Sequence, residues 1–148
     1  MNSPVKIMFL CTGNSCRSQM AQGFVNHMFP GKVQALSAGV EPSEINPTAV
    51  LVMNEAGIDI QSQGVHRPGD YSHVEFDYII TLCDHARQNC PYVPGWKNAR
   101  RTHLGFPDPA TYSGPEEDRI SFFRKVRDDI RETLGEFIEK ETGLTRSS

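Results

Sequence analysis

Apolar residues in this chain fall into short blocks whose spacing switches between a strand-like and a helix-like period. Val5–Leu10 (VKIMFL) is a brief apolar run closed by a turn signal, which predicts a buried strand. Ser18–Phe29 carries Met20, Phe24, Val25 and Met28 near the helical repeat, and Pro30-Gly31 ends it. Val33–Ala38 predicts a second strand. Asn46 before Pro47 reads as a cap followed by proline at the first helical position, so a helix runs through Val50, Leu51 and Met53 to Gly57. Phe76–Leu82 (FDYIITL) is a strong third strand. Cys83–Cys90 is compatible with a helix closed by Pro91 and Pro94, and Arg100–Phe106 with a weaker fourth strand. Glu116 to Lys140 predicts one long amphipathic helix with Ile120, Phe123, Val126, Ile130, Leu134 and Phe137 on its apolar face.

Strands alternating with helices predict an α/β fold: a three-layer, four-stranded, mostly parallel sheet flanked by helices, with right-handed crossovers. No repeat, low-complexity tract or long linker interrupts the pattern, so residues 1–148 are read as a single domain. Ligands of such sheets bind beyond the carboxyl ends of the strands. The first predicted strand runs into Cys11, the third into Cys83 and the fourth into Pro107-Asp108-Pro109. That sheet edge is therefore the candidate site.

Composition narrows the function. With 38% hydrophobic and 22% charged residues the chain is globular rather than disordered. Lysine and arginine total 15 against 18 acidic residues, a formal charge of -3, which argues against a general nucleic-acid binder. The run Ile7–Leu10 is too short for a signal-peptide core, and no run reaches the ~18 apolar residues of a spanning helix, so no membrane association is expected. The expected location is the cytoplasm, where thiols stay reduced. There, Cys11, Cys16, Cys83 and Cys90 more readily mark metal or redox chemistry than static crosslinks.

The segment Cys11-Thr12-Gly13-Asn14-Ser15-Cys16-Arg17-Ser18 joins the first strand to the first helix. N–H groups at a helix start are unpaired, and the helix dipole adds positive charge there. Gly13 and Asn14 tolerate positive φ, so the loop can curl into an anion-binding nest. Arg17 offers a planar fork of donors suited to a tetrahedral oxyanion. Cys11 lies inside this positive field, which favours a thiolate poised to attack a bound oxyanion. The nucleotide motifs G-x-x-x-x-G-K-[ST] and G-x-G-x-x-G are absent. A bare Cys-x5-Arg is also compatible with a buried thiol and a surface cation, but the strand before and the helix after favour the anion site.

Cys83 and Cys90 stand seven positions apart. Seven helical residues rise ~10.5 Å, whereas a disulfide needs Cα atoms ~5.5–6 Å apart. A bond between them would require the segment to unwind. Their spacing does not match common zinc patterns, and His27, His66, His73, His85 and His103 form no ligand-spaced motif, so no metal site is expected. Cys16 is left open between packing, stabilising the loop and an off-pathway disulfide with Cys11. Asp108, between Pro107 and Pro109, sits in a rigid turn that suits a proton donor reaching a leaving oxygen.

FLCTGNSCRSQMA closely resembles the phosphate-binding loop of the low-molecular-weight protein tyrosine phosphatase fold, and within it the thioredoxin-coupled arsenate reductases. The resemblance continues through SAGVEP, the Asn46-Pro47 helix start, TLCDHARQNCP and GFPDPA, the last two being the discriminating segments. It implies reduction of arsenate to arsenite, with Cys11 as nucleophile, Thr12, Gly13, Asn14, Ser15, Cys16, Arg17 and Ser18 around the oxyanion, and Arg17 as its clamp. It implies Asp108 as general acid and Cys83 and Cys90 as the redox pair, recycled by thioredoxin, with glutaredoxin the less favoured reductant. A monomer without a cofactor is expected. Some relatives hold potassium through an asparagine, a glutamate, a serine and an aspartate. The matching positions here are Asn14, Gln22, Ser37 and His66, so both carboxylates are missing and no cation site is expected.

Two alternatives follow from the same residues. A tyrosine phosphatase of this fold needs Cys11, Arg17 and Asp108 but neither Cys83 nor Cys90. Such enzymes commonly carry tyrosines directly after Asp-Pro, where this chain has Ala110-Thr111 before Tyr112. Weak phosphatase activity can accompany the reductase. A thiol-based arsenical or redox sensor would need an output surface such as a basic recognition helix, and Arg100-Arg101 is too little for one.

Overall fold

The structure, a computed structural model, describes residues 3–147. Strands β1 (Val5–Cys11), β2 (Val33–Gly39), β3 (Tyr78–Thr81) and β4 (Arg100–His103) form one sheet in the order β2-β1-β3-β4, and each neighbouring pair is parallel. The helices are α1 (Arg17–Met28), α2 (Pro47–Glu55), α3 (Asp84–Gln88) and α4 (Glu116–Thr142). β1 is central: Ile7 lies opposite both Ala35 and Tyr78, and Cys11 opposite Gly39. Every residue from Ile7 to Cys11 is buried, so both faces of the sheet are covered, as a parallel sheet requires.

Residues paired across parallel strands share a face. Tyr78 meets Phe137 of α4 edge-on at 6.1 Å, and Ser37 donates to Gln22 of α1. Helices α1 and α4 therefore cover the face that carries Ile7, Phe9, Ser37 and Tyr78. On the other face, Arg101 lies opposite Ile79 and bonds Cys90, just past α3. α2 is tied to α4, with Arg127 Nη1 donating to Val52 O at 2.9 Å and Arg124 forking onto Glu55 at 3.0 and 2.7 Å. That fork holds the Glu55 carboxyl below its ordinary range.

Local chemistry explains the element ends. Asn46 Oδ1 accepts from Thr48 N at 2.8 Å and Ala49 N at 3.3 Å, capping α2. Glu116, Glu117 and Asp118 occupy the first turn of α4, where the dipole favours them. Gly143 ends α4 at φ 75, donating its N–H to Glu139 O at 2.9 Å.

β3 covers Tyr78–Thr81, the middle of the predicted Phe76–Leu82, and three further predicted elements are corrected. Phe123, Val126, Ile130 and Leu134 are buried on α4 as expected, but the row closes with Ile138, four residues on. Phe137 and Ile120 lie on the flank, half-buried, because the helical repeat carries them off the central stripe. Second, α3 is five residues long, and Cys90 lies beyond its end in irregular chain. Cys83 caps this helix instead of opening its first turn. Third, β4 stops at His103, although Leu104 N and Phe106 N still bond Thr81 O and Leu82 O.

Leu134 is fully buried in the α4 row. Leu134→Ala should cost about 2–5 kcal/mol, lowering the urea midpoint while the denaturant slope stays unchanged.

Candidate active site

The segment after β1 is held in one sense along its length. Its carbonyl oxygens are tied away to the chain that follows β2. Cys11 O accepts from Val40 N at 3.2 Å, Thr12 O from Glu41 N at 2.8 Å, Gly13 O from Ser43 N at 2.9 Å, and Ser15 O from Asn46 N at 2.9 Å. Asn14 O takes the side-chain amide of Gln19 at 2.9 Å. Among the described residues, no turn, loop or cap hydrogen bond uses an N–H from Gly13 to Ser18. The loop is thus a run of free donors, which suits an anion.

Asn14 sets the curl. Among the described residues it alone, outside glycine, has positive φ, at 53°. Its side chain is fully buried and donates to Ser18 Oγ at 2.8 Å and Ser37 Oγ at 2.9 Å, while its Oδ1 accepts from His66 N at 2.9 Å. Ser37 Oγ donates to Gln22 Oε1 at 2.5 Å. Asn14, Ser37, Gln22 and the His66 backbone thus form a continuous network of neutral hydrogen bonds. Gly13, expected to share the positive φ, does not adopt it. The glycine the loop does require is Gly39, where a Cβ would lie 2.6 Å from Asn14 N and 2.8 Å from Thr12 O.

Cys11 Sγ lies at the end of β1, 2.9 Å from Ser18 Oγ. Ser18 Oγ accepts from Asn14 at 2.8 Å and keeps its own proton available to the sulfur. Arg17 is buried at the start of α1. Its Nη1 donates to Phe106 O at 3.0 Å, its Nη2 stands 3.5 Å from Asp108 Oδ2, and its buried Nε has no partner. Asp108 Oδ1 takes the N–H of Ala110 at 3.0 Å, which fixes the carboxylate with Oδ2 toward Arg17. A cavity of about 220 Å³ is lined by Cys11, Thr12, Gly13, Ser15, Cys16, Arg17 and Asp108. Asn14 and Ser18, also expected around the oxyanion, brace the loop from beneath with their side chains. Burial, reinforced by Asp108 and Cys11, pushes the Cys16 thiol far above its ordinary range, although Arg17 opposes this.

The second pair of thiols is split. Cys83 is buried at the end of β3, with its Sγ 3.3 Å from Thr12 Oγ1 and accepting from Ala86 N at 3.4 Å. Thr12 therefore links it to the loop. Cys90 is half-buried in a separate cleft beside Thr81 and His103, and all four cysteines are unbonded. With α3 only five residues long, closing Cys83 onto Cys90 demands less unwinding than a helix running from Cys83 to Cys90.

Several neighbours have no role assigned from the sequence. Glu41 and Ser43 line the cavity, and His85 Nε2 stands 3.7 Å from Glu41 Oε1. His103 Nδ1 is 2.8 Å from Thr81 Oγ1, with its Nε2 3.4 Å from Asp84. These pairings join distant parts of the chain; Glu41 falls within SAGVEP and Thr81, Asp84 and His85 within TLCDHARQNCP, but Ser43 and His103 lie in neither.

A donor-lined loop between the central strand and α1, holding a cysteine and an arginine opposite an aspartate, is a phosphatase-type anion site. The profile of the low molecular weight phosphotyrosine protein phosphatase family matches residues 6–146, and the chain belongs to that family. It is 46% identical over 135 residues to the arsenate reductase of Bacillus licheniformis, covering 90% of this chain and 94% of that protein. It is 44% identical over 137 residues to the arsenate reductase of Shouchella clausii, with the same shares covered. A solved arsenate reductase in the phosphate binding state matches with a TM-score of 0.75 at 33% identity, over 92% of this chain and 98% of that one.

Gly39→Ala should push the loop backbone out of place and lower kcat/KM at least roughly a hundredfold, while thermal unfolding stays cooperative. In the folded protein Cys16 should resist iodoacetamide at mildly alkaline pH and react once guanidinium unfolds the chain; mass spectrometry of the labelled peptides reads both.

Proposed function

We propose that this chain is an arsenate reductase that works through a relay of Cys11, Cys83 and Cys90. The observation that carries reduction over hydrolysis is the buried Cys83 sulfur 3.3 Å from Thr12 Oγ1. A phosphoester hydrolase has no use for a second thiol against its anion loop. The 44–46% identity to arsenate reductases supports the same reading.

Arsenate has the tetrahedral shape and charge for which the free N–H groups and Arg17 Nε are suited. The Cys11 thiolate attacks arsenic, the arsenic–oxygen bond opposite breaks, and Asp108 gives the departing oxygen its proton. Cys83 then attacks the Cys11 sulfur. The sulfur–arsenic bond breaks with its electron pair on arsenic, which falls from the +5 to the +3 state and leaves as arsenite. A Cys11–Cys83 disulfide remains. Cys90 attacks Cys83, returns Cys11 as thiolate and leaves Cys83–Cys90. Two electrons from a dithiol protein complete the cycle, with thioredoxin the preferred donor over glutaredoxin. The protein acts as one domain, as a monomer, in the cytoplasm. No cofactor takes part in this scheme.

Arsenate-dependent NADPH oxidation in the presence of thioredoxin and thioredoxin reductase tests the proposal, beside aryl phosphate hydrolysis as control. Hydrolysis without arsenate-dependent oxidation would assign the chain to the phosphatases instead. Cys90→Ser should release about one equivalent of arsenite per protein and then stall, since nothing resolves the first disulfide; sustained turnover by that variant would remove Cys90 from the relay.

A further inference from the structure

We propose that Arg101 of β4 is a positioning residue for the resolving step, holding Cys90 Sγ as the nucleophile that attacks Cys83. The proposal rests on the relay above. Arg101 Nη1 stands 2.9 Å from Cys90 Sγ, bridging two elements eleven positions apart. A protonated thiol is a weak acceptor, whereas a thiolate forms the short, charge-assisted bonds that guanidinium donors favour.

The other arginines nearby are committed elsewhere. Arg87 pairs with Asp84 at 3.4 Å and Arg100 with Glu141 at 3.5 Å. Among the described residues Arg101 has no carboxylate in ion-pair range, so its charge is available to the sulfur. Its position is set by the sheet. Arg101 lies opposite Ile79 in the β3–β4 register and points into the cleft of about 240 Å³ that also contains Cys90, Arg87 and Thr81. Asp84, the nearby carboxylate, is occupied by Arg87 and by His103 at 3.4 Å.

Cys90 itself sits in irregular chain past α3, so its sulfur can travel while the long Arg101 side chain follows from a fixed strand. In the step itself, the Cys90 thiolate bonds to the Cys83 sulfur. The Cys11–Cys83 bond breaks with its electron pair on Cys11, and the proton of Cys90 goes to solvent. No net oxidation occurs. Arg101 thus makes Cys90 reactive before Cys83 is oxidised, without touching arsenate.

The test separates this claim from the arsenate reading. In a protein carrying Cys11→Ser, Cys16→Ser and Cys83→Ser, only Cys90 can react with iodoacetamide. At neutral pH, Arg101→Gln in that background should slow alkylation roughly threefold to tenfold, and Arg101→Lys should restore most of the rate. In the four-cysteine protein, Arg101→Gln should delay the return of the Cys11 thiol by a similar factor, after the first arsenite is released at the parent rate. Equal alkylation rates in Arg101→Gln and its parent would overturn the proposal, as would equal slowing by Gln and Lys. If no protein releases arsenite, the arsenate reading falls while the alkylation series still decides whether Arg101 governs Cys90.

Discussion

The four backbone bonds between the loop carbonyls of residues 11–15 and the N–H groups of Val40, Glu41, Ser43 and Asn46 impose a polarity on which the rest of the site depends. A peptide unit cannot turn its carbonyl outward without turning its N–H inward. Tying the carbonyls to the chain after β2 therefore produces the donor-lined interior. The arrangement needs Gly39, because a side chain there would meet the loop backbone. It also needs Asn14, whose buried amide holds a positive φ in place through Ser18, Ser37 and His66. The same bonds join β1 to β2 and α2, so the loop is as firm as the fold that carries it.

This polarity reconciles an acidic chain with an anion site. The formal charge of -3 acts at long range and is screened within about a Debye length. The free N–H groups and the Arg17 guanidinium act at contact distance, where local geometry outweighs net charge. Such a cradle accepts phosphate and arsenate alike, so the oxyanion alone does not choose between hydrolysis and reduction. What differs is the second thiol. Hydrolysis needs a water to attack the central atom of the covalent intermediate, whereas the proposed reduction needs a thiol to attack the Cys11 sulfur, and the Thr12 contact holds Cys83 against the loop.

The parallel sheet and its helices were legible because apolar blocks of the right length alternate along the chain, and Asn46-Pro47 marked α2 by local chemistry alone. The anion loop was legible because a strand, a glycine-containing turn and an arginine lie contiguous in sequence. The short α3 was not, since five polar residues between two cysteines fit a longer helix equally well, and only Cys83 acting as cap shows where it begins. Ile138 replaced Phe137 in the buried row because spacing constrains a stripe more loosely at its ends. Glu41, Ser43 and the His103–Thr81 bond arise from pairings across tens of residues, which periodicity does not encode. In sequence Arg101 is one half of a basic dipeptide; its approach to Cys90 depends on the fold, which sets it opposite Ile79 and within 2.9 Å of the Cys90 sulfur.

The order β2-β1-β3-β4 also has a consequence for how the chain is made. Ile7 in the central strand finds Ala35 early but waits for Tyr78, 71 positions later, on its other edge. At ~5–20 residues per second, that wait lasts roughly 4–14 s during synthesis. The loop and its tethers to residues 40–46 are complete in the nascent chain well before β3 arrives. Throughout that interval an almost wholly apolar strand has one unpaired edge, the kind of surface that recruits other strands. The strand that ends in Cys11 is therefore also the one most in need of shelter while the protein is being born.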